Sequence, residues 1–245
     1  MEFLVGRNPV LEALDMNVGV EKIYIKKGEL KGSIRAIEKK AHEKNIDIEF
    51  VDKDFIEKKA EGNAHQGVMA KIRGFSYSNM DEMLIYAKKR NEDPKLIILD
   101  EITDPHNLGS IIRTAEVAGF HGVIIPKHRA SEVNVTAIKS SAGAAFNIRV
   151  AKVTNISQAI SYLKEHGIWI YGACGESATD YTKTDLTGPI ALVIGNEGKG
   201  ISRLVRENCD ELIKIPMYGK TESLNASNAA SILIYEVIRQ TNEKK

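Results

Sequence analysis

The chain has 245 residues, 43% hydrophobic and 27% charged, with 34 Lys and Arg against 33 Asp and Glu for a net charge of +1. This is the composition of a globular protein large enough to fold without disulfides, and it lacks the strong basic excess of a dedicated nucleic-acid binder. Cys174 and Cys209 have no CxxC spacing, no apolar run reaches the ~20 residues of a membrane span, and residues 1–7 carry no basic stretch leading into an apolar one. The expectation is a reduced, cytoplasmic chain that makes no membrane contact.

In chain order, Asn8-Pro9 starts a short helix through Leu14, because proline suits the first turn. Residues 22–25 read as a strand, 33–44 as a helix with Ile34, Ile37 and Ala41 on one face, and 47–51 as an alternating strand. A Lys/Glu-rich helix at 54–60 and a strand at 67–72 complete a small α/β unit over residues 1–73. Residues 74–94 read as a polar linker with a short helix near 81–90 and a breaker at Asn91-Glu92-Asp93-Pro94. From 95 to 245 short β-branched runs at 96–99, 123–125, 148–150, 168–171, 191–194 and 212–215 alternate with helical patterns. That alternation predicts an α/β domain built on a parallel sheet covered on both faces, with ligands beyond the carboxyl ends of the strands.

Three strand ends carry polar residues of interest. After 96–99 comes Asp100-Glu101-Ile102-Thr103-Asp104-Pro105-His106-Asn107, then a helix that includes Arg113. Asn107 suits a helix cap and Arg113 a solvated helix position, and the acidic and His residues of the turn read as surface loop rather than a metal site. After 191–194 comes Gly195-Asn196-Glu197-Gly198-Lys199-Gly200, which is neither GxxxxGK[ST] nor GxGxxG. A carboxylate inside a glycine loop repels phosphate and suits an uncharged or cationic ligand; a plain glycine turn is the alternative. After 212–215 comes Pro216-Met217-Tyr218-Gly219-Lys220-Thr221-Glu222-Ser223-Leu224-Asn225, opening a helix with Ala226, Ala229 and Ala230. Ser223 reads as its cap.

Taken together, DPHNLGSIIRTAE, ALVIGNEGKGIS and IPMYGKTESLNASNAAS resemble the three ordered motifs of the SpoU branch of the SPOUT methyltransferases, also called the TrmH family. VGRNPVLEAL near the amino terminus and His65-Gln66-Gly67-Val68 resemble that family's substrate-binding domain, so the resemblance spans nearly the whole chain. Ile124-Ile125-Pro126-Lys127-His128-Arg129-Ala130 is similar to the members that methylate a guanosine of 23S ribosomal RNA. Asn228, where an apolar residue is expected, and Cys174 are minor departures.

The resemblance implies a carboxyl-terminal SPOUT domain with a deep trefoil knot, an exception to the rule against knotted chains. It also implies a homodimer with its sites at the subunit interface, and S-adenosylmethionine-dependent methylation of a ribose 2'-hydroxyl without a metal. Carried onto this sequence, the catalytic group is Asn107, Arg113, Glu197, Ser223 and Asn225. The cofactor would lie along Gly172, Ala173, Gly195, Asn196, Glu197, Gly198, Ile215, Met217, Leu224 and Asn225. A guanidinium does not readily accept a proton, so Arg113 is expected to bind the developing oxyanion and a neighbouring phosphate. RNA contacts are expected from Arg7, Lys26, Lys27, Arg73, Lys127 and Arg129. Rival readings are a transfer-RNA methyltransferase and a non-catalytic RNA-binding ribosome-assembly module; a nucleotide-dependent oxidoreductase is disfavoured by the missing GxGxxG.

Overall fold

A computed structural model describes residues 2–15, 19–28, 32–60, 62 and 64–244. The chain divides into two compact units, Met1–Ser76 and Tyr77–Lys245.

The first unit runs β1 (Glu2–Val5), α1 (Arg7–Asp15), β2 (Val20–Lys26), α2 (Ser33–Glu43), β3 (Asp47–Val51), α3 (Lys53–Ala60) and β4 (Val68–Ile72). Its sheet has the order β1-β4-β2-β3, with β2 and β3 parallel and β4 antiparallel to both its neighbours. Side chains alternate across the sheet, and apolar residues fill both faces. Met69 joins Val51 and Ile56 in one cluster beside Phe3, Val5 and Tyr24. The buried Ile23, Ile25, Val68 and Ala70 belong to the opposite face, and α1 and α2 contribute the buried Val10, Leu14, Ile34, Ile37 and Ala41. Strand β1 was not expected: four residues beginning with an acid are too short to show a period.

The second unit begins with α4 (Met80–Lys89), capped by Asn79, whose side-chain oxygen accepts from the Glu82 amide. Met83 of α4 is fully buried in the core of this unit, so most of the stretch read as a linker is part of the unit's fold. There follow β5 (Lys95–Leu99), α5 (Pro105–Val117), β6 (Gly122–Pro126), α6 (Val135–Ser140), β7 (Arg149–Val153), α7 (Ile156–Glu165), β8 (Trp169–Ala173) and β9 (Thr179–Asp180). The unit closes with β10 (Ile190–Ile194), α8 (Arg203–Asn208), β11 (Glu211–Lys214) and α9 (Ala226–Glu243). The seven strands lie in the order β7-β6-β5-β10-β8-β11-β9 and every pairing is parallel. Leu96, Ile98, Ala191, Val193 and Ile170 pack with Met83, Ile160, Leu163 and Val205 on one face. The alternate residues Ile97 and Leu192 are equally buried, as are Ile111, Ile112, Leu233 and Ile234 of α5 and α9.

Strand β5 has β6 on one side and β10, almost a hundred residues away, on the other. The strand order reverses between β5 and β10. A parallel sheet leaves a crevice beyond the carboxyl ends of the strands at such a point, and the loops after β5 and β10 meet there. Among the described residues no helix is long and apolar enough to cross a membrane.

Candidate active site

Each wall of the crevice has a local reason for its shape. At the end of β5, the Asp104 carboxylate accepts from the His106 amide and Pro105 takes the first helical position, so Asp104 caps α5. Asn107, expected to be the cap, instead lies in the first turn with its side chain available for other bonds. Asp100, read as surface loop, is 4% exposed, and its Oδ2 accepts from the Ser202 amide at 2.7 Å. That bond ties the end of β5 to the segment after β10.

The glycine loop after β10 folds back upon itself. The Asn196 and Gly200 backbones exchange hydrogen bonds of 3.1 and 2.7 Å. A Cβ on Gly195 would sit 2.2 Å from the Gly200 carbonyl carbon, so only glycine permits the closure. The Asn196 side chain accepts from the Gly198 amide at 3.0 Å and donates to the Glu101 carbonyl at 3.0 Å. These bonds hold the loop with Glu197 at its turn.

The third wall is the start of α9. Asn225, not Ser223, is its cap: Asn225 Oδ1 accepts from the Ser227 amide at 3.0 Å and the Ser227 hydroxyl at 2.6 Å. Its Nδ2 is thereby aimed the other way. It donates to Glu197 Oε1 at 2.5 Å and to Asn107 Oδ1 at 2.9 Å. Glu197 Oε1 also receives Asn107 Nδ2 at 2.8 Å and the Ala226 amide at 3.2 Å. One carboxylate oxygen therefore joins residues from three loops separated by up to 118 positions in the chain. Every donor meets an acceptor, which fixes the orientation of both amide side chains.

A cleft of about 740 Å³ opens beside this junction, lined among others by Ala173, Glu197, Gly198, Ile215, Met217 and Ser223. A smaller hollow of about 130 Å³ shares several of these residues and adds Ile194, Gly195, Asn196, Ile213, Leu224, Ala226 and Ala229. Of the expected cofactor residues, all but two line one or both spaces. Asn225 lies in the Glu197 junction, and Gly172 lines neither space. A Cβ on Gly172 would strike Leu212, Cys209 and Ile201, so its glycine serves the packing of the sheet. The charged lining of the larger cleft, Glu176, Lys199, Arg206, Lys214, Lys220 and Glu222, was missed, since nothing local marks a charged residue as facing a cleft. Among the described residues no three His, Cys, Asp or Glu gather as a metal site.

Arg113 stands apart from the junction. Six residues beyond Asn107, it is about 9 Å further along α5 and about 240° around it. It is exposed and has no hydrogen-bond or ionic partner among the described residues.

In the first unit, Arg7 and Lys26 line a cavity of about 630 Å³ with Asn8, Ser33, His65, Gln66 and Gly67. Arg7 Nε donates to the Gln66 carbonyl at 2.9 Å, and the left-handed backbone of Gln66 (φ 48°) turns that carbonyl toward it. Lys27 is paired with Asp52 at 3.0 Å. Arg73 does not join them: its amide bonds to the Gly19 carbonyl, at the opposite end of β2 from Lys26. In the second unit Lys127 is exposed after β6, and Arg129 lies 3.7 Å from the Glu101 carboxylate, next to the loop that Asn196 braces.

The model of the SpoU rRNA Methylase family matches residues 94–235, more than half of the chain. The chain belongs to that family. A second model, described as RNA 2'-O ribose methyltransferase substrate binding, matches residues 3–78 of this SpoU-family protein. YacO of Bacillus subtilis (strain 168), assigned to the TrmH family of tRNA/rRNA methyltransferases, is 42% identical over 98% of this chain and 96% of its own length. A Staphylococcus saprophyticus protein with the same family assignment is 44% identical, again over 98% and 96%. Among solved structures, the SpoU methyltransferase AviRb from Streptomyces viridochromogenes, in complex with the cofactor AdoMet, is 27% identical with a TM-score of 0.69, covering 97% of this chain and 89% of that one. The protein is thus an RNA methyltransferase of the SpoU/TrmH family with an amino-terminal substrate-binding domain.

Proposed function

We propose that this protein transfers a methyl group from S-adenosylmethionine to a ribose 2'-hydroxyl of RNA, with a guanosine of 23S ribosomal RNA as its target. The observation that carries the reading is the Glu197 junction, which holds three loops together at the wall of one cleft. The ribose 2'-hydroxyl is favoured by the description of the matched substrate-binding model. The AdoMet complex of AviRb supports the cofactor, and so does the chemistry of the cleft. Ile194, Ile213, Ile215, Leu224 and Ala229 give the small hollow apolar walls suited to a flat base. Acidic and basic side chains line the larger space, as a ligand carrying a cationic sulfur and an amino-acid group requires.

When bound, S-adenosylmethionine supplies a methyl group already activated by its positive sulfur. The protein must exclude water, orient a sugar hydroxyl and manage one proton. Orientation inside such a site is worth up to ~7–11 kcal/mol of barrier. Glu197 fixes the two asparagines through its Oε1, which receives three N–H groups. Ser223, exposed at the cleft, is placed to bond the sugar. Arg113 has a guanidinium that stays charged, so it stabilises the developing oxyanion and grips the adjacent phosphate rather than acting as base.

The site is completed by a second copy. Val117 of α5 and Ile232 and Tyr235 of α9 are 65%, 36% and 51% exposed, an apolar stripe on two helices that already pack through Thr114 and Ser231. A homodimer formed there carries Arg113 from the wrong side of α5 to the partner's cleft. A trefoil knot, with the segment 215–225 drawn past the closed loop 195–200, belongs to the same reading. Arg7, Lys26, Lys27, Lys127 and Arg129 are the proposed phosphate contacts, with Arg73 a separate one, and the setting is the cytoplasm.

The test is incubation with methyl-labelled S-adenosylmethionine and unmodified 23S ribosomal RNA or transfer RNA, followed by alkaline hydrolysis. A 2'-O-methyl blocks cleavage of the adjoining phosphodiester, so label in alkali-stable dinucleotides containing guanosine from 23S RNA supports the proposal. Stable dinucleotides from transfer RNA alone move the target. Label only in mononucleotides, or none, overturns the reading.

A further inference from the structure

We infer that the Glu176–Arg206 ion pair is the receptor for the zwitterionic amino-acid end of the methyl donor, Arg206 taking its carboxylate and Glu176 its ammonium group. This rests on the proposed cofactor reading. Both residues line the larger cleft, on the side opposite in character to the apolar hollow. Arg206 Nη1 donates to Glu176 Oε2 at 2.9 Å, and that is the only bond of the guanidinium among the described residues. Four of its five N–H groups therefore remain for a ligand.

The pair is built on rigid supports. Arg206 is on α8, with its amide bonded to the Ser202 carbonyl, and Ser202 is in turn anchored to the buried Asp100. Glu176 is in the turn after β8, where the Ser177 hydroxyl bonds the Leu212 carbonyl at 2.6 Å. An α-amino acid presents carboxylate and ammonium side by side, and a neighbouring guanidinium and carboxylate offer the complementary order. Rearranging the existing pair costs little. The Glu176 side chain is 79% exposed, and exposed ion pairs contribute little to stability. A guanidinium fork, unlike an ammonium, also matches a carboxylate with two parallel bonds. The other cations of the cleft are lysines: Lys199 and Lys220 stand exposed on loops, and Lys214 projects from β11.

The test is calorimetric titration of the wild type and of Arg206→Gln, Glu176→Gln and Lys214→Gln with two probes. S-adenosylhomocysteine retains the amino-acid end, and 5'-methylthioadenosine lacks it. Wild type should bind the first roughly tenfold to a hundredfold more tightly than the second. Arg206→Gln should erase most of that difference while leaving 5'-methylthioadenosine affinity within about twofold, Glu176→Gln should erase part of it, and Lys214→Gln should preserve it. Equal loss of both probes in Arg206→Gln, unchanged binding of both, or collapse in Lys214→Gln alone would overturn the inference while leaving the cofactor reading intact. Wild type that binds neither probe contradicts the cofactor reading itself.

Discussion

The two ends of the seven-stranded sheet handle polar groups in opposite ways. At the amino end, His121 is 1% exposed; its Nδ1 accepts from the Lys95 amide at 3.0 Å and its Nε2 faces Glu92 at 3.1 Å. Arg90 closes the network with two bonds to Glu92, of 3.1 and 3.0 Å. At the carboxyl end, the loops are joined through one carboxylate oxygen, and the remaining charges face a cleft. A polar network saturated by the chain itself serves stability. One left with spare donors serves a ligand. Substitutions at the two ends should therefore separate activity from stability.

The largest effect is expected at Arg113. Arg113→Ala should lower the rate of methyl transfer by about 10²–10³-fold while S-adenosylhomocysteine binding stays within about twofold, and Arg113→Lys should lose nearly as much. A lysine variant near the wild-type rate would remove the two-pronged grip from the account. Next is Glu197→Ala, which releases Asn107 and Asn225 from their common acceptor. Misplacement of that size costs about 10²-fold in rate, whereas α9 stays capped because Asn225 keeps its bonds to Ser227. A thermal melt unchanged within a few degrees alongside the lost rate would confirm the division of labour; a collapsed melt would refute it.

A smaller effect is expected in the first unit. Arg7→Ala and Lys26→Ala should each weaken RNA binding and reduce the slope of log affinity against log salt by about one. Filter binding across a salt series measures this, and unchanged slopes would remove the 630 Å³ cavity from the RNA path.

The smallest effect on activity belongs to His121. Burial lowers its pKa, against the opposing pull of Glu92. The folded state thus prefers the neutral ring, and its contribution is present above the unfolded pKa of about 6.5 and lost as pH falls below it. Glu92, whose own pKa is lowered chiefly by its hydrogen bonds from Arg90, stabilises the fold at all pH values above the carboxylate range near 4.5 and loses that contribution only below it, outside this window. Urea unfolding between pH 8 and 5 should show a loss of stability that His121→Gln removes, with the rate at pH 8 unaltered. An identical pH profile in that variant would show that His121 is not the titrating group.

How much of this was legible in the sequence follows the same contrast. Strands β5, β6 and β10 were readable because both of their faces are buried, leaving continuous runs such as Ile190 to Ile194. Strand β1 was not, because pairing with β4 rather than its own pattern makes Glu2–Val5 a strand. The three motif loops were recognised by resemblance, but their connection through Glu197 was invisible, since it joins positions 28 to 118 residues apart. Both expected caps were displaced by competition: Asp104 before Pro105 takes the role from Asn107, and Asn225 takes it from Ser223. Gly172, expected along the cofactor, lines neither space, and a side chain there would strike Leu212 and Cys209, which local spacing could not show. The cavity around Arg7 depends on Gln66, 59 residues distant, and local spacing could not foretell it.

The proposed function depends on the loops after β8, β10 and β11 forming one cofactor site. Amide hydrogen exchange with and without S-adenosylhomocysteine tests it most directly. Simultaneous slowing is expected in residues 173–176, 195–201 and 215–226, with the Lys95–His121 end unchanged. Protection confined to one of these segments, or appearing at the amino end of the sheet instead, would contradict it.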